Sequence, residues 1–326
     1  MERTVRNPVL ALVAPSRQVT RGADFATVDF EEIDAVVKML AARGWLVKQA
    51  PNLRQMQARF AGSDEARAAG LNEALADPEV DLILAMRGGY GMTRLLSRID
   101  WKTAGESFAV FVGLSDLTVF NLALLAKTGR ASWQGPVARM FIHPNAARDD
   151  AFCRALSSSD FHFEMPCAAP NQGVQGTLWG GNLTMMTSLV GTEYFPVIDD
   201  GILFIEDVGE PAWRVERMLL QLALAGVLER QKAVLVGDFS GADKTAGAGD
   251  GRFSLEDALL RIREETGLPI WTGLPFGHRP DTMTLPVGVT AEVVVSNGRL
   301  SLWADHCPVP ASVPWREAPP ADLWWH

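Results

Sequence analysis

A serine at the turn 113–116, Gly-Leu-Ser-Asp, is the first candidate for chemistry. The apolar run 109–113 predicts a β-strand, and residues 117–127 predict a helix. Ser115 therefore lies at a strand-to-helix turn, which exposes a hydroxyl beside a helix N-terminus as a nucleophile elbow does. The full Gly-x-Ser-x-Gly motif is missing because Leu117 occupies its last position. A serine at such a junction is also a common helix N-cap, so the spacing alone leaves both interpretations open.

A serine nucleophile needs a base and a group that orients the base. Of the five histidines, His143 and His278 lie in proline-flanked loops from which a side chain can reach a cleft, although a purely structural histidine is the more common case. Glu206 and Asp207 directly follow the apolar run 202–205. A charged group at the end of so apolar a strand is costly unless it is paired, and a histidine would pair it. Acids at this position are also common as N-caps of the next helix.

A glycine-rich turn follows another predicted strand. Residues 87–91 read Arg-Gly-Gly-Tyr-Gly and precede a helical pattern, which is the setting of a dinucleotide-binding loop. The fingerprint fails because Arg94 stands where its third glycine belongs and no acidic residue follows at the ribose-binding position. Gly88 and Gly89 better suit an anion-binding nest or an oxyanion hole, since glycine lets backbone N–H groups approach a ligand closely. A tight turn without a ligand is the alternative.

The elements that must position these residues form two patterns. Short apolar strands alternate with amphipathic helices through the first 130 residues, which predicts βαβ units and a parallel sheet with its functional residues at the carboxyl ends of the strands. More strands per helix in the second half predict a mixed sheet, and proline and polar residues between the halves are typical of a linker. We expect an N-terminal α/β domain at 1–143, a linker at 144–172, a C-terminal domain at 173–307 and a Pro/Trp-rich tail at 308–326.

Composition narrows the class of protein. The 326 residues carry 39 acidic and 30 basic side chains, a formal net charge of −9. This balance argues against a nucleic-acid partner, which needs a basic face, but allows a small anionic substrate held by a few local cations. No stretch approaches the about 20 apolar residues of a membrane span. Three cysteines without a C-x-x-C pair predict neither a disulfide framework nor a zinc site. We expect a cytoplasmic protein without a metal, cofactor or membrane partner.

The motifs together resemble the LD-carboxypeptidases, a serine peptidase family that includes muramoyltetrapeptide carboxypeptidase. The resemblance extends in order over about residues 8–305. The segments that carry it are 87–91 (Arg-Gly-Gly-Tyr-Gly), 113–118 (Gly-Leu-Ser-Asp-Leu-Thr), 176–183 (Gly-Thr-Leu-Trp-Gly-Gly-Asn-Leu), 202–207 (Ile-Leu-Phe-Ile-Glu-Asp), 214–219 (Arg-Val-Glu-Arg-Met-Leu), 237–241 (Gly-Asp-Phe-Ser-Gly) and 276–278 (Phe-Gly-His).

This resemblance implies a fold, an assembly and an activity. The fold would be α/β, with a Rossmann-like parallel-sheet N-terminal domain and a mixed α/β C-terminal domain containing a small β-barrel. The protein would be a homodimer with a Ser-His-Glu triad, in which Ser115 is the nucleophile, His278 the general base and Glu206 the acid that orients the base. It would release the terminal D-alanine from murein tetrapeptides in the cytoplasm during peptidoglycan recycling.

The resemblance also bears on the groups around the triad. The backbone N–H of Asp116 and one from Gly88 or Gly89 would hold the oxyanion. A carboxypeptidase must also hold a free terminal carboxylate with a cation. The motifs bring three arginines near the triad without assigning one of them, namely Arg87, Arg94 and Arg279.

Two other functions remain open from the sequence. The same family contains microcin-resistance members that cleave peptidyl- or aminoacyl-nucleotide amides with the same triad, and loop lengths rather than the triad separate the two groups. A non-catalytic binding module on this scaffold is the other alternative, against which the intact serine, glutamate and histidine positions argue. The tail departs from the family pattern. We expect Trp315, Trp324 and Trp325 to pack on the body of the protein or on a dimer partner, since exposed tryptophan promotes aggregation.

Overall fold

The computed structural model describes residues 7–22, 26–243 and 253–314. Its strands are β1 (Val9–Val13), β2 (Thr20–Arg21), β3 (Thr27–Val28), β4 (Leu46–Gln49), β5 (Leu82–Ala85), β6 (Val110–Gly113), β7 (Ser132–Gln134), β8 (Phe161–Pro166), β9 (Gln172–Asn182), β10 (Gly201–Val208), β11 (Gln231–Ser240), β12 (Ile270–Thr272), β13 (Leu285–Val287), β14 (Val289–Ser296) and β15 (Arg299–Ala304). Its α-helices are α1 (Phe30–Ala42), α2 (Asp64–Ala76), α3 (Trp101–Glu106), α4 (Thr118–Thr128), α5 (Ala146–Ser157), α6 (Leu183–Thr187), α7 (Ala212–Leu224) and α8 (Leu255–Thr266). Short 3-10 helices lie at Met92–Arg98, Ser115–Leu117, Ala138–Ile142 and Leu228–Arg230.

The first sheet has the strand order β13-β7-β6-β5-β1-β4. Its strands from β4 to β7 are parallel, and β13 joins antiparallel to β7. Strands β1, β5 and β6 are buried along their whole length, because helices cover a parallel sheet on both faces. The carboxyl ends of β1, β5 and β6 therefore meet at one edge, as the alternating pattern predicts.

Helix ends in the first half follow the side chains expected of them. The side chain of Asp29 accepts a hydrogen bond from the backbone of Glu32 and starts α1, and that of Ser63 starts α2 in the same way. Helix α4 ends at Gly129, which adopts the left-handed conformation with φ of 71°. These local signals fix where each helix begins and ends, and so where the turns of the sheet edge lie.

The second sheet has the order β12-β11-β10-β9-β14-β15-β8. Strands β9 to β12 are parallel to one another, and β14, β15 and β8 extend the sheet antiparallel from β9. The prediction of a mixed α/β C-terminal half is confirmed. The expected small β-barrel is not found among the described residues: β12 and β8 are opposite edges of an open sheet, and barrel closure would require such edges to pair.

The segment 144–172, whose composition suggested a linker, consists mostly of regular secondary structure. It contains helix α5, whose Phe152 and Leu156 are fully buried, and the edge strand β8 of the second sheet. Proline and serine mark the ends of these elements rather than an absence of structure. In addition, β13 belongs to the first sheet although it lies far along the second half of the chain.

The tail is described as far as residue 314. The indole N–H of Trp133 donates to the backbone oxygen of Pro308 at 2.7 Å, so the start of the tail packs against the first sheet. The three tryptophans expected to pack, Trp315, Trp324 and Trp325, lie outside the described residues. None of the described helices is long and apolar enough to cross a lipid bilayer.

Candidate active site

Ser115 lies at the carboxyl end of β6, where the strand turns into a 3-10 helix and then into α4. Its φ of 67° is in the left-handed region that non-glycine residues rarely adopt. Strain of this kind is retained where surrounding structure enforces it, and it clusters at functional sites. Gly88 packs directly against the serine: a Cβ built on Gly88 would lie 2.9 Å from Ser115 Cβ and 3.2 Å from its Oγ.

Asp116 ties three turns of the sheet edge together. Its buried carboxylate accepts hydrogen bonds from Ser16 Oγ at 2.5 Å, in the turn after β1, and from the backbone N–H of Met92 at 2.8 Å, in the turn after β5. Burial raises the pKa of Asp116, and these hydrogen bonds oppose that shift. The side chain of Asp116 is thus structural, and the glycine turn 88–91 is fixed relative to Ser115.

Within the described part of the chain, no protein group accepts a hydrogen bond from the backbone N–H of Gly88 or Gly89. Gly89 has a φ of 120° and lies against Arg17, so that a Cβ there would come within 2.8 Å of Arg17 Cβ. A left-handed backbone in this close contact is accessible to glycine but not to a larger residue. The turn that packs against Ser115 thus carries two backbone N–H groups without a protein acceptor among the described residues.

Glu206 and His278 form a hydrogen-bonded pair. Glu206 lies near the end of β10 with its side chain fully buried, and its Oε2 is 2.7 Å from His278 Nδ1. His278 belongs to the loop between β12 and β13. The loop approaches Glu206 closely because Gly277 has no side chain: a Cβ there would lie 2.9 Å from both Glu206 Cβ and Oε2.

The pairing with Glu206 contributes to a raised pKa of His278. Burial by itself would lower the pKa of the imidazole. The hydrogen bond and negative charge of Glu206, with the charges of Asp207 and Asp238, outweigh burial and raise the pKa above its ordinary value. Since Nδ1 faces a carboxylate, it carries a proton and leaves Nε2 free to accept one.

Asn182 holds the acidic side of the pair. Its Nδ2 donates to Glu206 Oε1 at 3.1 Å and to Asp207 Oδ1 at 2.9 Å, while its Oδ1 caps α6 by accepting from Met185 N at 3.1 Å. Asp207 in turn accepts from the backbone N–H and hydroxyl of Thr184. Of the two acids at this strand end, Glu206 therefore contacts His278, and Asp207 holds Asn182, which in turn donates to Glu206. The sequence marked Asn182 only as part of a motif.

One cavity of about 730 Å³ brings the separate turns together. Ser115, Gly88 and Gly89 line it from the first half of the chain, and His278 and Arg279 line it from the second. Glu206 lies behind His278, out of contact with solvent. His143, the other candidate base, also lines the cavity, whereas Arg94 does not: Arg94 is exposed and paired with Asp64. The remaining lining residues include Arg87, Val137, Arg139, Met140, Arg148 and Val208.

Arg139 and Arg148 line the cavity, although the sequence did not indicate them as site residues. Both lie outside the recognised motifs, and they reach the cavity because the chain after β7 folds back over the sheet edge; the backbone N–H of Arg139 donates to Met86 O at 3.1 Å. No group of three or more His, Cys, Asp or Glu side chains among the described residues is placed to hold a metal ion. The groups that line or support the cavity include a hydroxyl, an imidazole with a buried carboxylate, backbone N–H groups and guanidinium cations.

Both halves of the chain match models of one protein family. Residues 10–135 match the LD-carboxypeptidase N-terminal domain, and residues 175–293 match the LD-carboxypeptidase C-terminal domain. A putative carboxypeptidase of Streptomyces coelicolor is 32% identical over 305 residues, which cover 90% of this chain and 95% of that protein. The murein tetrapeptide carboxypeptidase of Pseudomonas aeruginosa is 30% identical over 311 residues, 89% of this chain and 94% of that protein.

The fold is also that of a solved relative. The crystal structure of muramoyltetrapeptide carboxypeptidase from Oxalobacter formigenes superimposes with a TM-score of 0.82 at 35% identity, covering 92% of this chain and 99% of that one. Both halves of the chain thus match in order, over nearly the full length of each relative. The chain belongs to the LD-carboxypeptidase family.

Proposed function

We propose that the protein is a serine-type LD-carboxypeptidase that releases the terminal D-alanine from murein tetrapeptides. The observation that carries the proposal is the shared cavity: Ser115 and His278 line it together, and His278 Nδ1 is 2.7 Å from the buried Glu206. The substrate class is supported by the names of the Pseudomonas and Oxalobacter relatives. The preference for an L,D-bond rests on the family to which the chain belongs.

The mechanism follows from the roles of the three side chains. His278 Nε2 takes the proton of Ser115 Oγ as the oxygen attacks the carbonyl of the L-centre that precedes D-alanine. Glu206 holds the imidazole in the tautomer with the proton on Nδ1 and stabilises the imidazolium that forms. His278 then protonates the leaving amine, and water hydrolyses the acyl-enzyme with His278 again as the base.

The oxyanion of the tetrahedral intermediate is assigned to backbone N–H groups, as proposed from the sequence. Asp116 follows the nucleophile at a helix start, and Gly88 or Gly89 supplies the second donor from the opposing turn. Two observations support this assignment: the N–H groups of Gly88 and Gly89 have no acceptor among the described protein groups, and Gly88 packs against Ser115. Removal of one such donor typically costs about 10²–10³ in rate.

The proposal includes a cytoplasmic location, a role in peptidoglycan recycling and a homodimer. Three free cysteines within the described residues are consistent with a reducing compartment. The dimer rests on the family resemblance, and light scattering of the purified protein checks it. Neither the location nor the dimer is needed for the chemistry above.

The test uses the purified protein with three substrates: an L,D-linked murein tetrapeptide, its D,D-linked isomer and a peptidyl-nucleotide amide, with products identified by mass spectrometry. We expect release of D-alanine from the L,D-linked peptide and its loss in Ser115→Ala. Ser97→Ala, at an exposed serine outside the cavity, is the matched control. Unchanged release by Ser115→Ala would refute the assignment of the nucleophile.

The same assay separates the alternatives. Cleavage of the peptidyl-nucleotide in preference to the murein peptide would assign the chain to the microcin-resistance type. Binding without cleavage of any of the three would favour a non-catalytic binding module. Both outcomes leave the fold as described and change only the function.

A further inference from the structure

Four arginines line the cavity on a chain whose net charge is −9. Three of them are paired with a carboxylate of the protein. The pairs are Arg139 with Glu32 at 2.8 Å, Arg148 with Asp149 at 2.7 Å and Arg279 with Asp281 at 2.7 Å. The fourth, Arg87, contacts no carboxylate among the described residues.

Arg87 bonds only to neutral backbone oxygens among the described residues. Its Nη1 donates to Gln18 O at 3.2 Å, and its Nε to Gly88 O at 3.3 Å. Burial first, and then the charges of Arg139 and Arg17, lower the pKa of Arg87 to about 10 against the opposing, more distant charge of Glu32, and the guanidinium stays charged at neutral pH. A partly buried cation beside other cations is unfavourable unless an anion compensates it, and here the described protein groups supply none in contact.

The position of Arg87 indicates which anion that is. Arg87 directly precedes Gly88, and Gly88 packs against Ser115. The backbone of Arg87 is therefore close to the proposed nucleophile. In a peptide with a scissile bond before its last residue, the terminal carboxylate lies about one residue length, roughly 3.8 Å, beyond the attacked carbonyl. The site for that carboxylate must therefore be adjacent to the nucleophile, on the cavity wall, and positively charged.

We propose that Arg87 binds the free C-terminal carboxylate of the substrate and thereby restricts the enzyme to removal of a single terminal residue. The inference rests on the proposed function and adds to it the residue that selects a free carboxyl end. The planar guanidinium presents paired N–H donors that match both oxygens of a carboxylate, which a lysine does not do. Arg139, which also lines the cavity, contributes positive potential although it is already paired with Glu32.

The test compares two substrates and three variants. The substrates are the L,D-linked tetrapeptide as the free acid and the same peptide as its C-terminal amide. The variants are Arg87→Met, Arg87→Lys and, as the control, Arg94→Met, whose exposed guanidinium pairs with Asp64 outside the cavity. For the wild type we expect kcat/KM to favour the free acid about 100-fold, the size typical of removing one partner of a buried charge pair.

Arg87→Met should lose about 100-fold in kcat/KM on the free acid and little on the amide, so that the preference disappears. Arg87→Lys should fall between, and Arg94→Met should match the wild type. Equal losses on both substrates would mean that Arg87 is only structural and would overturn the inference. A wild type that cleaves both substrates equally would overturn it too, while leaving the proposed function intact.

Failure of the proposed function gives a different result, because the wild type would then cleave neither peptide. A second measurement needs no variant and covers the case in which Arg87→Met does not fold. D-alanine should inhibit the wild type, and D-alaninamide should inhibit about 10-fold more weakly, since it lacks the charge that Arg87 would bind. Equal inhibition by the two compounds would refute a carboxylate site.

Discussion

Replacement of Gly88 by alanine tests whether the glycine turn fixes the nucleophile. Gly88 is outside the left-handed backbone region, so alanine is compatible with its conformation. The added Cβ would lie 2.9 Å from Ser115 Cβ and 3.2 Å from Oγ, whereas ordinary contacts between non-bonded carbon atoms are about 3.5–4.0 Å. The serine or the turn must therefore move by about 0.5–1 Å. A misplacement of about 1 Å in a catalytic group costs about 10²-fold in rate.

We therefore expect Gly88→Ala to lower kcat/KM on the L,D-linked tetrapeptide by about 10²-fold. Crowding of this kind lowers the free energy of unfolding by about 1–3 kcal/mol, which urea denaturation measures independently of activity. The backbone N–H of residue 88 is kept in this variant, so the loss reports displacement rather than removal of an oxyanion donor. If the added methyl group of Gly88→Ala only crowds its neighbours and does not displace Ser115, the free energy of unfolding should fall while kcat/KM stays unchanged.

A matched control is Gly173→Ala in β9. A Cβ at Gly173 would approach nothing closer than Val294 Cγ2 at 3.7 Å, an ordinary contact, and the residue is exposed. This variant should keep the activity and nearly all the stability of the wild type. If Gly88→Ala retains activity within threefold of Gly173→Ala, the inferred packing of the glycine turn against Ser115 is refuted.

Two further substitutions probe the strain at Ser115 and the charge behind His278. The free energy of unfolding of Ser115→Gly should be about 1 kcal/mol larger than that of Ser115→Ala, because glycine adopts a φ of 67° without steric cost. Equal midpoints of urea denaturation for the two variants would contradict this account. Glu206→Gln should lower kcat by about 10⁴-fold, as loss of the orienting carboxylate does in serine triads. In the pH profile of the residual kcat/KM, the acidic limb of Glu206→Gln should lie at lower pH than that of the wild type. The base must be neutral to act, and removal of the charge that raises the pKa of His278 lets that pKa fall. An acidic limb at the same or higher pH, measured on the residual activity, would contradict the inferred electrostatics.

The sequence was informative where a pattern is local. Strands β1, β5 and β6 were predictable because each is a continuous apolar run that is buried on both faces, and the turns that follow them carry Ser115 and the two glycines. Helix ends in the first half coincide with local capping residues, such as Ser63 at the start of α2 and Gly129 at the end of α4. The resemblance to a known family then selected Glu206 over Asp207, and His278 over His143, which the spacing alone left open.

What could not be predicted depends on contacts between distant segments. Strands β7 and β13 have three residues each, too few to show a periodic pattern, and they pair across about 150 residues of sequence. Arg139 lies in no motif and reaches the cavity only through the backbone contact of its turn with Met86. Asn182 caps α6 in the structure, and its second role toward Glu206 appears only when β9 and β10 pair.

The pairing of β13 with β7 bears on how the cavity is held together. The loop that carries His278 begins after β12 in the second sheet and ends at β13 in the first, so both sheets fix its ends. A hinge confined to 144–172, where the composition suggested a linker, would not by itself separate the two sides of the cavity. Opening by such a hinge would also require β13 to leave β7 or the loop to extend.

A chain of hydrogen bonds connects the two sides more directly. Thr118, in the first turn of α4 after Ser115, accepts from the backbone N–H of Asn182 at 3.0 Å through its hydroxyl oxygen. Asn182 donates to Glu206, and Glu206 contacts His278. Gln134 of β7 reaches the same hydroxyl at 2.9 Å. Helix α4, which follows Ser115, and Asn182, which donates to Glu206, are thus joined through one buried threonine. The position of Ser115 relative to Glu206 and His278 therefore depends on packing at the junction of the two sheets, where residues from opposite halves of the chain line one cavity.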